Sequence, residues 1–266
     1  MKLLCPICGE ILDRIEKQYR CGNGHSFDLA RQGYVNLLPV QQKRSLNPGD
    51  TREQVLGRRA FLETGCYEPI SNTLNETAKE LGATGPILDV GCGEGYYSAR
   101  LAEALGAELT GLDISKEAVR CAAAKYKGPR WLCGTAAHLP VESHSAGVVT
   151  SLFALTMAEE FKRVLRPDGY FFQVLAAEDH LLGLKSIIYP ELKFKEKNTV
   201  PEVPGFELVK SVPIRFTFTV EGEQVRNLLG MTPHVFRITK EGAARLAATE
   251  KLTDTASAVL NVYRVI

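Results

Sequence analysis

The sequence predicts an α/β protein. A mostly parallel sheet carries helices on both faces, an antiparallel hairpin closes one edge, and a small metal-bound module precedes it. Three observations carry this. Short apolar runs alternate with helical periodicity from residue 86 to residue 175. The rhythm then changes to long alternating strands near the C-terminus. Three cysteines and a histidine crowd the first 25 residues at metal-ligand spacing. The length, 266 residues, suits two domains at ~150 residues each. With 45% hydrophobic and 24% charged residues, disordered and fibrous classes are excluded. No apolar run reaches the ~18–20 residues that cross a bilayer, so no membrane partner is expected, and no signal-peptide region follows Met1. Seven cysteines cannot all pair, which favours a reduced, cytoplasmic compartment.

The elements follow in order. Arg58 to Leu81 reads as helices broken around 64–69, stopping at Gly82 before Pro86. Strands are expected at Pro86–Val90, Glu108–Leu112, Arg130–Cys133, Ala146–Phe153 and Gly169–Leu175. Between them lie helices at Tyr96–Leu105, Ser115–Lys127 with Ser115 as N-cap, and Ala158–Leu165. Val212–Val220 and Ala258–Ile266 alternate as half-buried strands, around a helix at Gly222–Leu229. The pattern assigns nothing to 183–211.

The N-terminal spacing is C-x2-C-x12-C-x3-H: Cys5, Cys8, Cys21 and His25. A two-residue spacer lets a tight turn present two thiolates to one tetrahedral zinc. Four ligands read as a closed structural site for one Zn2+, not a catalytic one with an open position. Sixty residues of this composition bury little surface, so metal would supply much of the folding energy. On this view, Cys8→Ser should lower bound zinc and loosen residues 1–40 while leaving cofactor affinity nearly unchanged. A disulfide or incidental cysteines are the plainer alternative. Two spaced pairs with glycine knuckles weigh against it.

Leu88-Asp-Val-Gly-Cys-Gly-Glu-Gly-Tyr-Tyr97 forms the first strand-to-helix turn. Its G-x-G-x-G spacing departs from a pyrophosphate cradle, and Asp89 with Glu94 would repel phosphate. Those carboxylates suit a ligand carrying an amine and a sulfonium. Asp113, at the end of the second strand, can accept from both ribose hydroxyls. Together they point to S-adenosylmethionine bound by a class I (Rossmann-like) methyltransferase fold of seven strands. Helix capping or solvation would explain either aspartate alone.

These residues also carry a family resemblance. The sequence resembles the bacterial 23S rRNA (guanine-N1)-methyltransferases over most of its length. The match includes the four zinc-ligand positions, the segment 26–42, Pro48-Gly-Asp50, Arg58-Arg-Ala-Phe-Leu62, Gly65-Cys-Tyr67, Leu88–Tyr97 and Asp113-Ile-Ser-Lys116. It continues through Leu139-Pro140, Arg163–Pro167 and Met231-Thr-Pro233. The cofactor turn is common to many methyltransferases; the knuckle with Gly-Tyr-Val-Asn-Leu is far more specific. The resemblance implies a zinc module at residues 1–60 that recognises RNA, and a methyltransferase domain at 61–266. It implies zinc on Cys5, Cys8, Cys21 and His25. It implies a cofactor site of Tyr67, Asp89, Gly91, Gly93, Glu94, Gly95, Asp113 and His180. Three positions depart from the family pattern: Leu155 where proline is usual, Gly147 where aspartate is common, and Thr135 near the adenine side.

The reaction implied is methyl transfer from S-adenosylmethionine to N1 of a guanine in a 23S rRNA hairpin. Guanine N1 must lose its proton, so a base or a polarising group is needed; His180 and Glu94 are the candidates. A flipped or looped base is commonly held by aromatics, here Phe153, Tyr96 and Phe236. Of the chain's 32 Lys/Arg and 31 Asp/Glu, ten and six lie in residues 1–60, a net +4. That leaves 22 and 25, a net −3, for the rest. Arg20, Arg31, Lys43, Arg44 and Arg52 would therefore hold phosphates, unless they only solvate a face. A homodimer would help this modest patch grip a folded RNA. The alternatives are a methyltransferase of small molecules or proteins with the module as lid, and a non-catalytic RNA-binding protein that keeps the cofactor pocket.

Overall fold

The computed structural model describes residues 1–42, 45–192 and 196–266; Lys43 and Arg44 of the basic set lie outside them. The chain opens with β1 (Leu3–Leu4), β2 (Ile11–Ile15), β3 (Gln18–Cys21) and β4 (Ser26–Asp28), a four-stranded antiparallel ribbon in that order. β5 (Tyr34–Asn36) then leaves the ribbon. Helix α1 (Arg52–Leu62) starts at Thr51, whose side chain accepts from the Gln54 N–H while the Gln54 side chain accepts from the Thr51 N–H. That reciprocal box fixes the start six residues ahead of the expected Arg58 and was readable as T-x-x-Q. α2 (Glu68–Glu80) follows a short break, as expected.

The alternation comes next: β6 (Ile87–Val90), α3 (Tyr96–Leu105), β7 (Leu109–Asp113), α4 (Lys116–Lys125), β8 (Arg130–Cys133), β9 (Ala146–Leu152), α5 (Ala158–Val164) and β10 (Leu165–Ala176). Ser115 caps α4 as expected, accepting from the Ala118 N–H. After α6 (Leu182–Ile188), two long strands, β11 (Phe206–Glu221) and β12 (Lys251–Val265), pair antiparallel around α7 (Glu223–Gly230) and α8 (Lys240–Ala247). Both strands begin earlier than the alternation suggested, and two helices, not one, separate them.

The large sheet runs β11-β12-β10-β9-β6-β7-β8-β5. The seven expected strands are all present, and β5 makes an eighth. β8 would otherwise expose a row of unpaired backbone groups at the sheet edge. Tyr34–Asn36 covers it with parallel bonds to Trp131–Cys133. The chain thus enters the large sheet well before residue 60, where its charge divides.

Period-2 alternation sends neighbouring residues to opposite faces. Ile87, Leu109, Trp131 and Phe172 face α1 to α4 and α6 to α8. Leu88, Val90, Leu112, Leu132, Val149 and Phe171 face the other way. Helix α5 covers part of that second face through Phe161 and Val164. The connection from β8 to β9, residues 134–145, carries no helix. The ribbon stands beside it: Leu3 bridges Val141, the Leu4 N–H bonds the Pro140 carbonyl, and Leu3, Leu12 and Tyr19 belong to the same core as Leu112 and Leu132. The ribbon supplies cover that a crossover helix would otherwise give, so metal loss is expected to be felt in this shared core as well as in residues 1–40.

Candidate functional site

The ribbon's two turns bring Cys5, Cys8, Cys21 and His25 together, with all four ligand atoms within 4.8 Å of one another. Tetrahedral zinc with Zn–S ~2.3 Å and Zn–N ~2.0–2.1 Å requires S···S edges of about 3.8 Å and S···N edges of about 3.6 Å. Cys8 Sγ to Cys21 Sγ is 3.7 Å, and His25 Nδ1 lies 3.6 Å from Cys5 Sγ and 3.4 Å from Cys21 Sγ. The backbone N–H of Glu10 and the Asn23 side chain pull the Cys8 thiol down to about 6, towards the thiolate that a metal needs. The donor set fits one zinc ion with no ligand position left open.

The second constellation sits at the carboxyl edge of the sheet, the edge at which open α/β sheets bind ligands. Gly91, Gly93 and Gly95 have φ of +82°, +56° and +81°. Each is also crowded. A Cβ on Gly91 would lie 2.6 Å from Ala154 Cβ, on Gly95 2.5 Å from the Trp131 ring, and on Gly93 3.3 Å from the Arg58 guanidinium. Asp113 fastens the turn from β7: its carboxylate accepts from the Gly93 N–H at 2.9 Å and the Ser115 N–H at 2.8 Å. A carboxylate has about four acceptor sites, so two remain for ribose hydroxyls. Asp89 is 2% exposed and accepts from Thr150 Oγ1 at 2.6 Å. Burial pushes it up to about 6. It forms the floor of the turn and contributes a field more than an open contact.

Glu94 is not free. Arg58 Nε holds it at 2.7 Å, and Arg58 Nη1 reaches Asp50 at 2.5 Å. The segment before α1 folds onto this point, with Ser115 Oγ donating to the Asp50 carbonyl. Arg58 and Asp50 lie in stretches quoted for the resemblance, yet residue type alone assigned them no role. Their signal was the pairing of an acidic turn with an arginine 36 residues earlier, which spacing does not reveal.

Tyr67 and His180, assigned separately to the cofactor site, contact each other. His180 Nδ1 accepts from the Ser257 N–H at 3.1 Å, so its proton sits on Nε2, which points at the Tyr67 hydroxyl at 3.3 Å. Burial, with Lys185 nearby, lowers the ring to about 4, so it is neutral. Burial raises the Tyr67 phenol, which packs against Phe61, Phe216 and Phe218. With one ring nitrogen protonated and the other accepting, His180 has no lone pair ready for a substrate proton. Glu94 is likewise engaged by Arg58. Neither candidate base stands ready in this arrangement.

Of the aromatic candidates, Phe153 is at the edge: 41% exposed, 6.1 Å from the His180 ring and 6.5 Å from Tyr97. Tyr96 is buried under Arg100, and it is the ring of its neighbour Tyr97 that lies beside Phe153. Phe236 is exposed on the Pro233–Phe236 turn, and no ring contact ties it to this group. The altered loop is explained in part. Ala154 packs on Gly91, and the Leu155 carbonyl accepts from Ser151 Oγ, leaving the Leu155 side chain 78% exposed. Gly147 has no room for the aspartate common elsewhere, since a Cβ would lie 1.9 Å from the Thr84 carbonyl oxygen. Thr135 accepts from the Ala137 N–H in the loop after β8. Arg20, Arg31 and Arg52 are exposed on β3, the turn before β5 and the start of α1.

Comparison with known proteins accords with this geometry. Residues 3–46 match the zinc-ribbon family described as "RlmA, N-terminal", and residues 88–173 match one described as "Methyltransferase domain". A 23S rRNA (guanine(748)-N(1))-methyltransferase of Streptomyces fradiae is 33% identical over 92% of this chain and 90% of its own. A Micromonospora griseorubida protein, provisionally given the activity without a nucleotide number, is 32% identical over 98% and 97%. Among solved structures, a protein described as a type II methyltransferase of Anaeromyxobacter dehalogenans superposes with a TM-score of 0.50. At 17% identity over 72% of this chain and 96% of that one, it speaks for the fold alone.

Proposed function

The chain belongs to the 23S rRNA (guanine-N1)-methyltransferases, and from that premise we propose that it transfers a methyl group from S-adenosylmethionine to N1 of a guanine in a 23S rRNA hairpin. The observation that carries this reading is the union in one chain of a closed Cys3His site and an acidic, glycine-rich turn. Cys5, Cys8, Cys21 and His25 hold one structural zinc. S-adenosylmethionine supplies an electrophilic methyl on a sulfonium. Gly91, Gly93 and Gly95 let the backbone approach it, Asp113 takes the ribose, Glu94 takes the amine, and Asp89 sets a negative field beneath. Tyr67 and His180 bound the pocket, with His180 donating from Nε2 to orient the phenol.

The acceptor side is a matter of positioning, and with His180 and Glu94 both engaged the N1 proton would leave to solvent. Transfer needs sulfur, methyl and nitrogen in line, which a rigid pocket supplies more effectively than any single group. Phe153 offers its half-exposed ring to a flipped guanine, and Leu155 offers an apolar neighbour. Arg20, Arg31 and Arg52, with Lys43 and Arg44, give the N-terminal module its grip on phosphates, while the domain built on the large sheet, Asp50 and Arg58 included, performs the transfer. Ribosomal RNA as partner places the work in the cytoplasm. A second copy of the chain, as a homodimer, would double the basic surface offered to one folded RNA.

Incubation with tritiated cofactor and undermethylated 23S rRNA tests the reading. Label should enter the RNA, and primer extension should stop one nucleotide before a guanine, because N1 methylation blocks pairing. Label in small metabolites or protein with none in RNA would overturn it.

A further inference from the structure

The cofactor that this site would hold is chemically mixed at its methionine end. It carries an ammonium and a sulfonium, and also a carboxylate. The turn meets the first two with acid: Asp50, Asp89, Glu94 and Asp113 all gather at the same edge. None of these can hold a carboxylate. The cation that contacts the turn is Arg58. Its guanidinium lies 3.3 Å from the place where a Cβ on Gly93 would stand. Helix α1 is set by the Thr51–Gln54 capping box, and Arg58 projects from it two turns later, so the group is delivered from a fixed base.

Its partners are unequal. Glu94 is almost wholly buried, with 6% of its side chain exposed, and approaches Arg58 Nε. Asp50 is 37% exposed, approaches Nη1, and stands on the outer side in the turn that leads into α1. A guanidinium offers five donors in a planar fork and matches carboxylates well. One face of the fork is committed to the turn, and the other holds a solvent-accessible carboxylate that an incoming one can replace.

Resting on the reading that this edge binds S-adenosylmethionine, we propose that Arg58 binds the methionine carboxylate of the cofactor, exchanging Asp50 for it while keeping Glu94. Glu94 stays aimed at the ammonium, and Arg58 completes recognition of the amino acid end. The same exchange loosens the hold of α1 on the Pro48–Asp50 turn, which packs on Ile114 and Ser115 beside the ribose aspartate.

The test compares two nucleosides that differ only in the carboxylate: S-adenosylhomocysteine and S-adenosyl-3-thiopropylamine, each titrated by calorimetry into the full chain. The unaltered protein should prefer S-adenosylhomocysteine by about tenfold or more, the scale of a charge-assisted pair. Arg58→Ala should abolish that preference, weakening S-adenosylhomocysteine about tenfold and the amine less than about twofold. Equal weakening of both ligands would overturn the proposal and leave Arg58 as a brace for Glu94. Asp50→Asn removes the competing anion and should tighten S-adenosylhomocysteine several-fold relative to the amine. Weaker binding of S-adenosylhomocysteine in that variant would overturn the exchange, and this arm stands even if Arg58→Ala does not fold. A wild-type chain that binds neither nucleoside would instead refute the cofactor reading itself.

Discussion

Two glycine-rich turns, one at the zinc ligands and one at the cofactor edge, share a backbone habit but not a cause. Gly9 and Gly24 have φ of +78° and +85°, and a Cβ on either would meet nothing within 4 Å. Gly91, Gly93 and Gly95 have the same left-handed φ, yet Ala154, Arg58 and Trp131 close on them. The ribbon glycines serve only their own turns, as the neighbours of metal ligands. The cofactor glycines serve packing against residues 35 to 63 positions away. One turn is fixed locally by an ion, the other globally by the fold.

The sharpest way to break that contrast is to remove the ion. If the ribbon were a self-contained appendage, chelation or Cys21→Ser would affect residues 1–40 only. The shared core says otherwise. The ribbon shares one core with Leu112, Leu132 and Val141, and each such side chain left uncovered costs ~1.5–3 kcal/mol. We expect a loss of about 5 kcal/mol or more, with hydrogen exchange accelerating in β7 and β8 as well as in β1 to β4. Protection unchanged in β7 and β8 would make the ribbon separable after all.

The glycines themselves give the next largest effect. Gly95→Ala meets both a left-handed φ and the Trp131 ring, and should cost about 3 kcal/mol or more in a denaturant melt. Gly24→Ala meets the backbone penalty alone, ~1–2 kcal/mol. Equal losses at the two sites would show that packing around the cofactor turn is slack.

The same contrast explains what the sequence could and could not disclose. The zinc site was legible because its four ligands lie within 21 residues of chain and their spacing is the geometry. The strands β6 to β10 were legible because each is a short apolar run bounded by turn residues, and Asp89, Asp113 and the glycines follow from their places at strand ends. The start of α1 is not where composition puts it, although its capping box is local; helical composition from Arg58 onward outweighs the box. β5 could not be read as a member of the large sheet, since three residues show no period and their partner is 97 positions away. Arg58 on Glu94, Ala154 on Gly91 and Thr84 against Gly147 are all products of the folded chain, so no spacing in the sequence points to them. The long hairpin was underestimated because β11 alternates weakly before Val212, where it is an exposed edge strand.

Protonation separates the two regions further. His180 is neutral in the folded chain, its ring lowered to about 4 from an ordinary 6.5 by burial and by Lys185. The unfolded chain therefore binds a proton there from about pH 6.5 downward, while the folded chain does so only near pH 4. Stability from this group is full above pH 6.5 and is lost as pH falls towards 4, by up to about 3 kcal/mol. Asp89 runs the other way: its carboxyl is raised to about 6, so acid favours the folded state between about 6 and 3.8. The two trends oppose each other, and a melt of the wild type alone would hide both. His180→Gln isolates one of them. Its stability relative to wild type should rise by about 2 kcal/mol from pH 7 to pH 5. A difference that stays flat with pH would show that the His180 ring is well solvated.

The smallest effect concerns a third turn with a glycine's backbone and no glycine. Phe153 has φ of +56°, and its N–H bonds to the Val174 carbonyl at 2.9 Å, which holds it there. A left-handed residue with a side chain costs ~1–2 kcal/mol, whereas glycine gives back ~0.5–1 kcal/mol in chain entropy. Phe153→Gly should therefore leave stability unchanged or raise it by less than about 1 kcal/mol. A ring kept at that cost, 41% exposed beside His180 and Tyr97, is kept for what it touches. The same variant should lower methylation of 23S rRNA about tenfold or more, the range of base stacking on an aromatic, with S-adenosylhomocysteine affinity unmoved. Phe236→Ala, whose exposed ring touches neither His180 nor Tyr97, should change neither quantity. If Phe153→Gly methylates RNA at the wild-type rate, the ring is not the guanine's platform, and the strain at residue 153 has some other cause.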